Sequence, residues 1–290
     1  MGNSSKIGHV GRYQLQNKLG EGASGIVYRA YDPVMDRSVA IKSVKAETMT
    51  DEQIENALSD FRHEATIAGK YTHENIVGIY DVISDGRLDH IAMEFVPGRS
   101  ILDFIAAIGP MDIAETLAVV YKCCVGLAYI HYHGVIHRDI KPGNIIYHPV
   151  SGIVKLTDFS ISQNIEEASV KDTGTIGYMA PEHFDPNRKI TLLTDVFAMG
   201  CTMYRMLVKE YPFTKDNTID QILNKSPKPI RELRSEVPQE IAGIVDKAMA
   251  KADADRFQSA AKFALEVEKF MNCLYPDSTL LKTSKDYMLR

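Results

Sequence analysis

The sequence predicts an α+β protein with two unlike lobes, and three observations predict it. Through most of the first third of the chain, apolar and polar residues alternate, the spacing of strands. One segment inside that third, 50–68, repeats its apolar residues every three or four positions instead, the spacing of a long helix. Beyond Pro97-Gly98 the pattern becomes mainly helical. A small, mainly-β lobe carrying one long helix, followed by a larger, mainly-α lobe, is the bilobal arrangement this order implies. A ligand cleft is expected between the two.

Each element follows from local chemistry. Residues 1–11 are rich in Gly and Ser and are expected to be flexible. Tyr13, Leu15 and Leu19, then Ile26, Tyr28 and Ala30, alternate on either side of a glycine cluster, and Val39-Ala40-Ile41 is a short apolar run ending at Lys42. Thr50 with Gln53 three residues on is a capping-box pattern, and Ile54, Leu58, Phe61, Ala65 and Ala68 follow on one helical face. Strands are expected at 76–82 and 90–95. In the second lobe, 112–132 carries Ile113, Leu117, Val120, Cys124 and Leu127 along one face. Further helices are expected at 191–208, 218–225, 238–251 and 259–271, with Pro238 suited to a first helical turn. Residues 273–290 show no periodicity and read as a tail.

Composition excludes some functions. The net charge of −5 argues against bulk nucleic-acid binding, which needs a basic face. Cys123, Cys124, Cys201 and Cys273 contain no C-x-x-C pair, a poor disulfide or zinc framework, so free thiols in a reducing cytosol are expected. The expected localisation is therefore cytoplasmic. The best apolar stretch, 116–130, is interrupted by Lys122, so no membrane span is expected. The N-terminal Met1-Gly2 lacks the Ser or Thr that a myristoylation signal wants at position six, where Lys6 stands, and no charged-then-apolar signal peptide is expected there.

Five constellations carry chemistry. Gly20-Glu21-Gly22-Ala23-Ser24-Gly25 lies between two expected strands, so it reads either as a plain hairpin turn or as a flap whose backbone N–H groups meet phosphates. Lys42 at a strand end is either snorkelling or a point charge for phosphate oxygens, and Glu64 in the helix is a candidate partner for it. His137-Arg138-Asp139-Ile140-Lys141-Pro142-Gly143-Asn144 is a polar octet between Val135-Ile136 and Ile145-Ile146, a loop presenting side chains. Asp158 after Leu156-Thr157 suits either a turn cap or a hard cation such as Mg²⁺. Gly174-Thr175 leads to Ala180-Pro181-Glu182, and Asp255-Arg256-Phe257 stands far downstream.

In this order and spacing, from Tyr13 to Met271, the motifs resemble the eukaryotic-like Ser/Thr protein kinases. Ala30-Tyr31-Asp32-Pro33 and Phe61-Arg62-His63-Glu64-Ala65 are similar to the bacterial branch. The resemblance implies a kinase domain over 12–272, with an N-lobe 12–93, a hinge 94–98 and a C-lobe 99–272. It implies that Gly20, Gly22 and Gly25 cover ATP phosphates and that Lys42, held by Glu64, contacts the α- and β-phosphates. Leu19, Val27, Ala40 and Ile146 would sandwich the adenine ring, Met93 would close the back of its pocket, and the backbone of Glu94 and Val96 would hydrogen-bond it. Asp139 would be the base, Lys141 would stabilise the transferred phosphoryl group, and Asn144 and Asp158 would hold Mg²⁺, with Mn²⁺ as a substitute. Glu182 and Arg256 would pair structurally. Partners would be ATP and proteins bearing Ser or Thr, in signal transduction, with no nucleic acid; no motif specifies an oligomeric state.

Arg138 before Asp139 implies an activation loop ordered by phosphorylation, for which Thr173 and Ser169 are the candidates, by autophosphorylation. One departure stands out: where the family has Asp-Phe-Gly, this chain has Asp158-Phe159-Ser160. Ser160 is expected to restrict loop flipping rather than metal binding. Two alternatives are a nucleotide-binding pseudokinase scaffold acting through partners and a small-molecule phosphotransferase. Lys42, Asp139, Asn144 and Asp158 are all present, against the first, and the Gly-Thr…Ala-Pro-Glu platform is intact, against the second.

Overall fold

A computed structural model describes residues 8–22, 25–44, 50–86, 88–158, 176–214 and 218–274. The chain divides into two compact units. One holds the residues through His73 together with Val77–Pro97; the other holds Glu74–Ile76 and the residues from Gly98 on.

In the first unit, β1 (Gly8–Val10), β2 (Tyr13–Gly22), β3 (Gly25–Asp32), β4 (Arg37–Ser43), β5 (Ile79–Ser84) and β6 (Asp89–Glu94) build one antiparallel sheet in the order β1-β2-β3-β4-β6-β5. Val10, Tyr13, Ala30, Val39, Ile41 and Ala92 form the core on one face of it. Val10 explains why β1 exists at all. The stretch 1–11 reads as loose from composition, but Gly8–Val10 pairs with β2 and buries Val10 beside Tyr13. Residues 1–7 of that stretch lie outside the described residues.

Helix α1 (Asp51–Ala68) starts on the expected capping box: the Thr50 N–H donates to Gln53 Oε1 at 2.9 Å and the Gln53 N–H donates to Thr50 Oγ1 at 3.3 Å. It lies against β5 and β6 and buries Ile54, Phe61 and Ala65, which are spaced to share one helical face. The strand expected over 76–82 begins only at Ile79, because Ile76 makes a parallel bridge to Leu156 and belongs to the second unit.

The second unit is mainly helical. A small sheet of β7 (Arg99–Ser100), β8 (Ile145–His148) and β9 (Ile153–Leu156) accompanies α2 (Ile101–Ile108), α3 (Ile113–Tyr132), α4 (Leu193–Val208), α5 (Thr218–Asn224), α6 (Ile230–Leu233), α7 (Gln239–Ala248) and α8 (Ala260–Leu274). Asp112 caps α3 by accepting from the N–H groups of Ala114 at 2.8 Å and Glu115 at 3.2 Å. By length and a mean hydropathy of 1.6 this helix meets the measure of a membrane span, but 78% of that window is buried inside the protein. It packs against α8, α4 and β9, and Lys122, its one break, donates to the Gly152 carbonyl at 2.7 Å. Pro238 stands at the N-cap of α7, one position ahead of its first turn.

Helix α2 has no counterpart in the sequence reading. Ile101-Leu102-Asp103-Phe104-Ile105 is too densely apolar to show a period, yet Ser100 caps it, accepting from the Asp103 N–H at 3.1 Å. Gly98, just before it, adopts φ +132°, and a Cβ there would stand 2.5 Å from the Tyr147 carbonyl oxygen.

The same test separates the three glycines of the β2–β3 hairpin. Gly25 has φ +135° and its added Cβ would meet the Ser43 carbonyl oxygen at 2.2 Å, whereas Gly20 and Gly22 have ordinary φ and no described residue within 4 Å of an added Cβ. Gly25→Ala is therefore expected to destabilise the protein by about 2–3 kcal/mol through backbone strain and displacement of β4. Gly22→Ala is expected to change stability by less than about 1 kcal/mol. Urea unfolding of both variants checks the contrast.

Candidate active site

The first unit assembles one set of expected site residues by register alone. Val27 pairs with Lys42 and Lys42 with Ile91, while Ala40 pairs with Met93. Because side chains alternate along strands, Val27, Ala40, Lys42 and Met93 all project from one face of the sheet, opposite the core of Val39, Ile41 and Ala92. Ala40, Lys42 and Met93 are buried, and the Lys42 ammonium stands 5.7 Å from the Phe61 ring of α1. Glu64 lies one helical turn beyond Phe61, and its side chain is outside those described. Leu19 sits at a register shift of β2 with its side chain exposed. The N–H of Glu94 is donated to the Gly78 carbonyl at 2.8 Å, and its carboxylate accepts the Gly78 N–H at 3.2 Å. That N–H is therefore spent within the first unit, and Val96, two residues on, is buried.

The second unit gathers the polar octet. The Asn144 amide donates from Nδ2 to the Asp139 carbonyl at 2.9 Å and to Asp139 Oδ2 at 2.8 Å, and Lys141 Nζ reaches the same Oδ2 at 2.9 Å. Asp139, Lys141 and Asn144 thus converge within one hydrogen-bonded cluster. A short 3-10 turn, Pro142–Asn144, brings Asn144 back under Asp139 before β8 begins. The Thr157 N–H then donates to the Asn144 carbonyl at 3.0 Å, which ties the residue before Asp158 to the cluster. Asp158 is half-buried in the left-handed region at φ +59°, a conformation that Asp tolerates better than most residues. Ile146 is half-buried in β8, opposite Ser100 and Lys155.

The donor set suits a hard cation. Because Nδ2 of Asn144 is turned to Asp139, the amide oxygen is its remaining ligand atom, and Asp158 supplies a carboxylate. One or two protein oxygens with phosphate and water completing the shell is how Mg²⁺ is ordinarily held. No group of three His, Cys, Asp or Glu positioned for a metal occurs among the described residues.

What fixes this loop is a residue the sequence reading passed over. Asp195, wholly buried in the first turn of α4, accepts the His137 N–H and the Arg138 N–H, each at 2.8 Å, and His131 Nε2 of α3 at 2.8 Å. Burial pushes the Asp195 carboxyl up, but the His131 hydrogen bond and the further donors outweigh it and hold the group below the usual carboxylate range. Burial also keeps His137 below its ordinary value despite the charges of Asp195, Asp139 and Asp158 around it, so it is neutral at pH 7. The one available signal was an Asp inside an otherwise apolar helix start, Thr194-Asp195-Val196-Phe197.

The expected Glu182–Arg256 pair is present and bidentate, with both contacts at 2.8 Å and both side chains fully buried. Thr194 Oγ1 donates to Glu182 at 2.9 Å, and the other Arg256 donors go to the carbonyls of Ala250, Leu193 and Lys251. Ser160, Ser169, Thr173 and the Gly174-Thr175 step lie outside the described residues. Cys123, Cys124 and Cys201 are free and buried, with thiols pushed up by burial, and exposed Cys273 is free as well.

Two stability predictions follow from these buried charges. Arg256→Ala leaves Glu182 without its cation and is expected to cost roughly 3–5 kcal/mol in denaturant unfolding. Glu182 and Asp195 both titrate below their unfolded values. Their contribution is thus complete at neutral pH, above the unfolded values, and is lost as pH falls through the folded ones. Unfolding free energy measured from pH 7 to pH 3 should fall steeply in wild type, and less steeply in Glu182→Gln.

Most of the chain is similar to known proteins. The family description "Protein kinase domain" matches residues 13–268. The serine/threonine-protein kinase PknB of Mycobacterium leprae is 31% identical over 287 residues, 95% of this chain and 45% of that protein. PrkC of Bacillus subtilis, also a serine/threonine-protein kinase, is 30% identical over 265 residues, 89% of this chain and 40% of that protein. This chain therefore spans less than half the length of these curated relatives. The crystal structure of Rad53 1-466 in complex with AMP-PNP is similar at a TM-score of 0.72 and 26% identity, over 87% of this chain and 64% of that one. The chain belongs to the protein kinase domain family, on the bacterial branch of the eukaryotic-like Ser/Thr protein kinases.

Proposed function

We propose that this chain transfers the γ-phosphoryl group of ATP to Ser or Thr hydroxyls of proteins, in a Mg²⁺-dependent signalling reaction in the cytoplasm. The observation that carries the reading is the Asp139–Lys141–Asn144 cluster, a carboxylate base, a cation and an amide oxygen donor held within 2.8–2.9 Å contacts. Phosphoryl transfer needs little covalent help from a protein. It needs alignment and neutralisation of charge spread over the phosphoryl oxygens.

Each residue has a role in that scheme. Asp139 orients the acceptor hydroxyl and takes its proton, and Lys141 neutralises charge on the moving phosphoryl group. Asn144 and Asp158 would hold the divalent ion, which supplies charge neutralisation at the phosphates; Mn²⁺ has the same preference for oxygen ligands. Lys42, supported by Glu64, contacts the α- and β-phosphates. Val27, Ala40, Met93 and Leu19 are the adenine contacts proposed on the first unit, with the Val96 N–H and the Glu94 carbonyl at the ring edge, and Ile146 is the one proposed on the second. Gly20 and Gly22 serve this reading well: no neighbour among the described residues demands glycine there, and a side chain would stand between the backbone and a phosphate. Thr173, with Ser169 as second candidate, is the proposed autophosphorylation site that would pair with Arg138.

The direct test is turnover of Mg²⁺-ATP with a generic basic protein. Asp139→Asn is expected to lower kcat by 10²–10⁴-fold with nucleotide affinity retained. Gly22→Ala should raise KM for ATP while leaving unfolding unchanged. Thr173→Ala should slow transfer to peptide, and equal rates for the phosphorylated and Ala forms would remove that site from the scheme. A wild type that binds nucleotide and transfers nothing would establish the scaffold reading in its place.

A further inference from the structure

A second hydrogen-bonded relay lies in the first unit, on the sheet face opposite Lys42. Ser43 is the last residue of β4, and its cross-strand partner on β6 is His90. Ser43 Oγ and His90 Nδ1 are 2.7 Å apart, and His90 Nε2 is 3.0 Å from Asp85 Oδ2. The carboxylate only accepts, so Nε2 carries the proton, and Nδ1 is left to accept the Ser43 hydroxyl proton. Asp85 is itself fixed, because its other oxygen accepts the Leu88 N–H at 3.0 Å and its own N–H donates to the Leu88 carbonyl at 3.0 Å. A hydroxyl on an imidazole that is oriented by a carboxylate is the arrangement of an activated nucleophile. His90 is buried, Ser43 is half-buried and the Asp85 side chain is 48% exposed, so the relay lies at the edge of the unit rather than in its core.

We propose that Ser43 is a phosphoryl-acceptor site of this chain, with His90 as its general base and Asp85 as the residue that orients the base. The donor is ATP carried by another copy of this chain, in which case the proposal rests on the kinase reading, or a small acyl phosphate. With ATP, the bond from Ser43 Oγ to the γ-phosphorus forms and the bond from that phosphorus to the β,γ-bridging oxygen breaks, so ADP leaves. With an acyl phosphate, the phosphorus–oxygen bond to the acyl group breaks and a carboxylate leaves. In both cases the hydroxyl proton passes to His90 Nδ1. The imidazolium formed is held between the Asp85 carboxylate and the new phosphate, two anions that favour its charge. Ser43 is next to Lys42, and its carbonyl oxygen is the atom that would stand 2.2 Å from a Cβ on Gly25. A dianion at Ser43 would stand one residue along β4 from Lys42, and modification is expected to lower peptide phosphorylation.

The test incubates the protein with Mg²⁺-ATP in one arm and with acetyl phosphate in another, then measures phosphate at Ser43 by peptide mass spectrometry. Phosphate at Ser43 is expected in at least one arm, slowed at least 10-fold in His90→Asn and by a smaller factor in Asp85→Asn. Variants are matched to wild type by denaturation midpoint. If they misfold, labelling of wild type with diisopropyl fluorophosphate replaces them, and adducts at Ser43 in preference to the other serines are expected. A basic protein included in the ATP arm separates the two readings. Its phosphorylation with Ser43 bare in both arms overturns the acceptor site alone. No phosphorylation of it removes the kinase reading, and the acetyl phosphate arm still decides Ser43. Equal rates in wild type and His90→Asn, or labelling spread evenly over the serines, also overturn the proposal.

Discussion

One buried carboxylate sets the geometry on which the second unit's chemistry depends. Asp195 holds the backbone of His137 and Arg138 from α4 and is itself held by His131 from α3. Arg138 adopts φ +66°, a left-handed conformation that costs a residue with a Cβ roughly 1–2 kcal/mol. Hydrogen bonds to a charged acceptor contribute about 1.5–3 kcal/mol each, so two backbone donors on one carboxylate outweigh that strain. The strained turn points Asp139 toward Asn144 and Lys141, and the cluster follows from it. Both helices that meet at Asp195 are largely buried, so the loop is tied to the core of the unit.

The Glu182–Arg256 pair applies the same economy to a different purpose. Burying two charges costs several kcal/mol each, and only excellent geometry with every remaining donor satisfied recovers it. Arg256 meets that condition, with its Nε, Nη1 and Nη2 groups donating to Glu182 or to the backbone carbonyls of three other residues. Arg188 adds a further contact to Glu182 at 3.5 Å and bonds Asp253 at 2.6 Å. The result joins the segment after the Ala180-Pro181 step to the start of α4 and to the turn before α8. It fixes a platform and touches no reacting group.

Much of the fold was legible because its signals are local. The capping box at Thr50 and Gln53, the alternation through β3, the apolar run of β4 and the apolar face of α3 each depend on residues a few positions apart, and each is found where the spacing places it. Elements whose pattern is uniform were not legible. Helix α2 is apolar nearly all round, so it shows no period, and β1 is three residues long and exists only because Val10 reaches a core built by other strands. Ile76 reads as strand from its neighbours, but its partner Leu156 is far along the chain and draws it into the other unit.

By itself the sequence determined the two-lobed α+β order, the kinase motifs and the identity of the groups that carry charge, because each is a matter of residue type and short spacing. Register and burial were decided by the tertiary structure. They placed Val27, Ala40, Lys42 and Met93 on one face, spent the Glu94 N–H on Gly78, and made Gly25 a steric necessity while no described residue constrains Gly20 or Gly22. They also turned Asp195 from one acidic residue among many into the anchor of the polar loop, and put Ser43 against His90. The physical reason is that a hydrogen bond between residues 47 or 58 positions apart leaves no trace in local composition. Only packing, which brings those residues within 3 Å, gives it energy and a role.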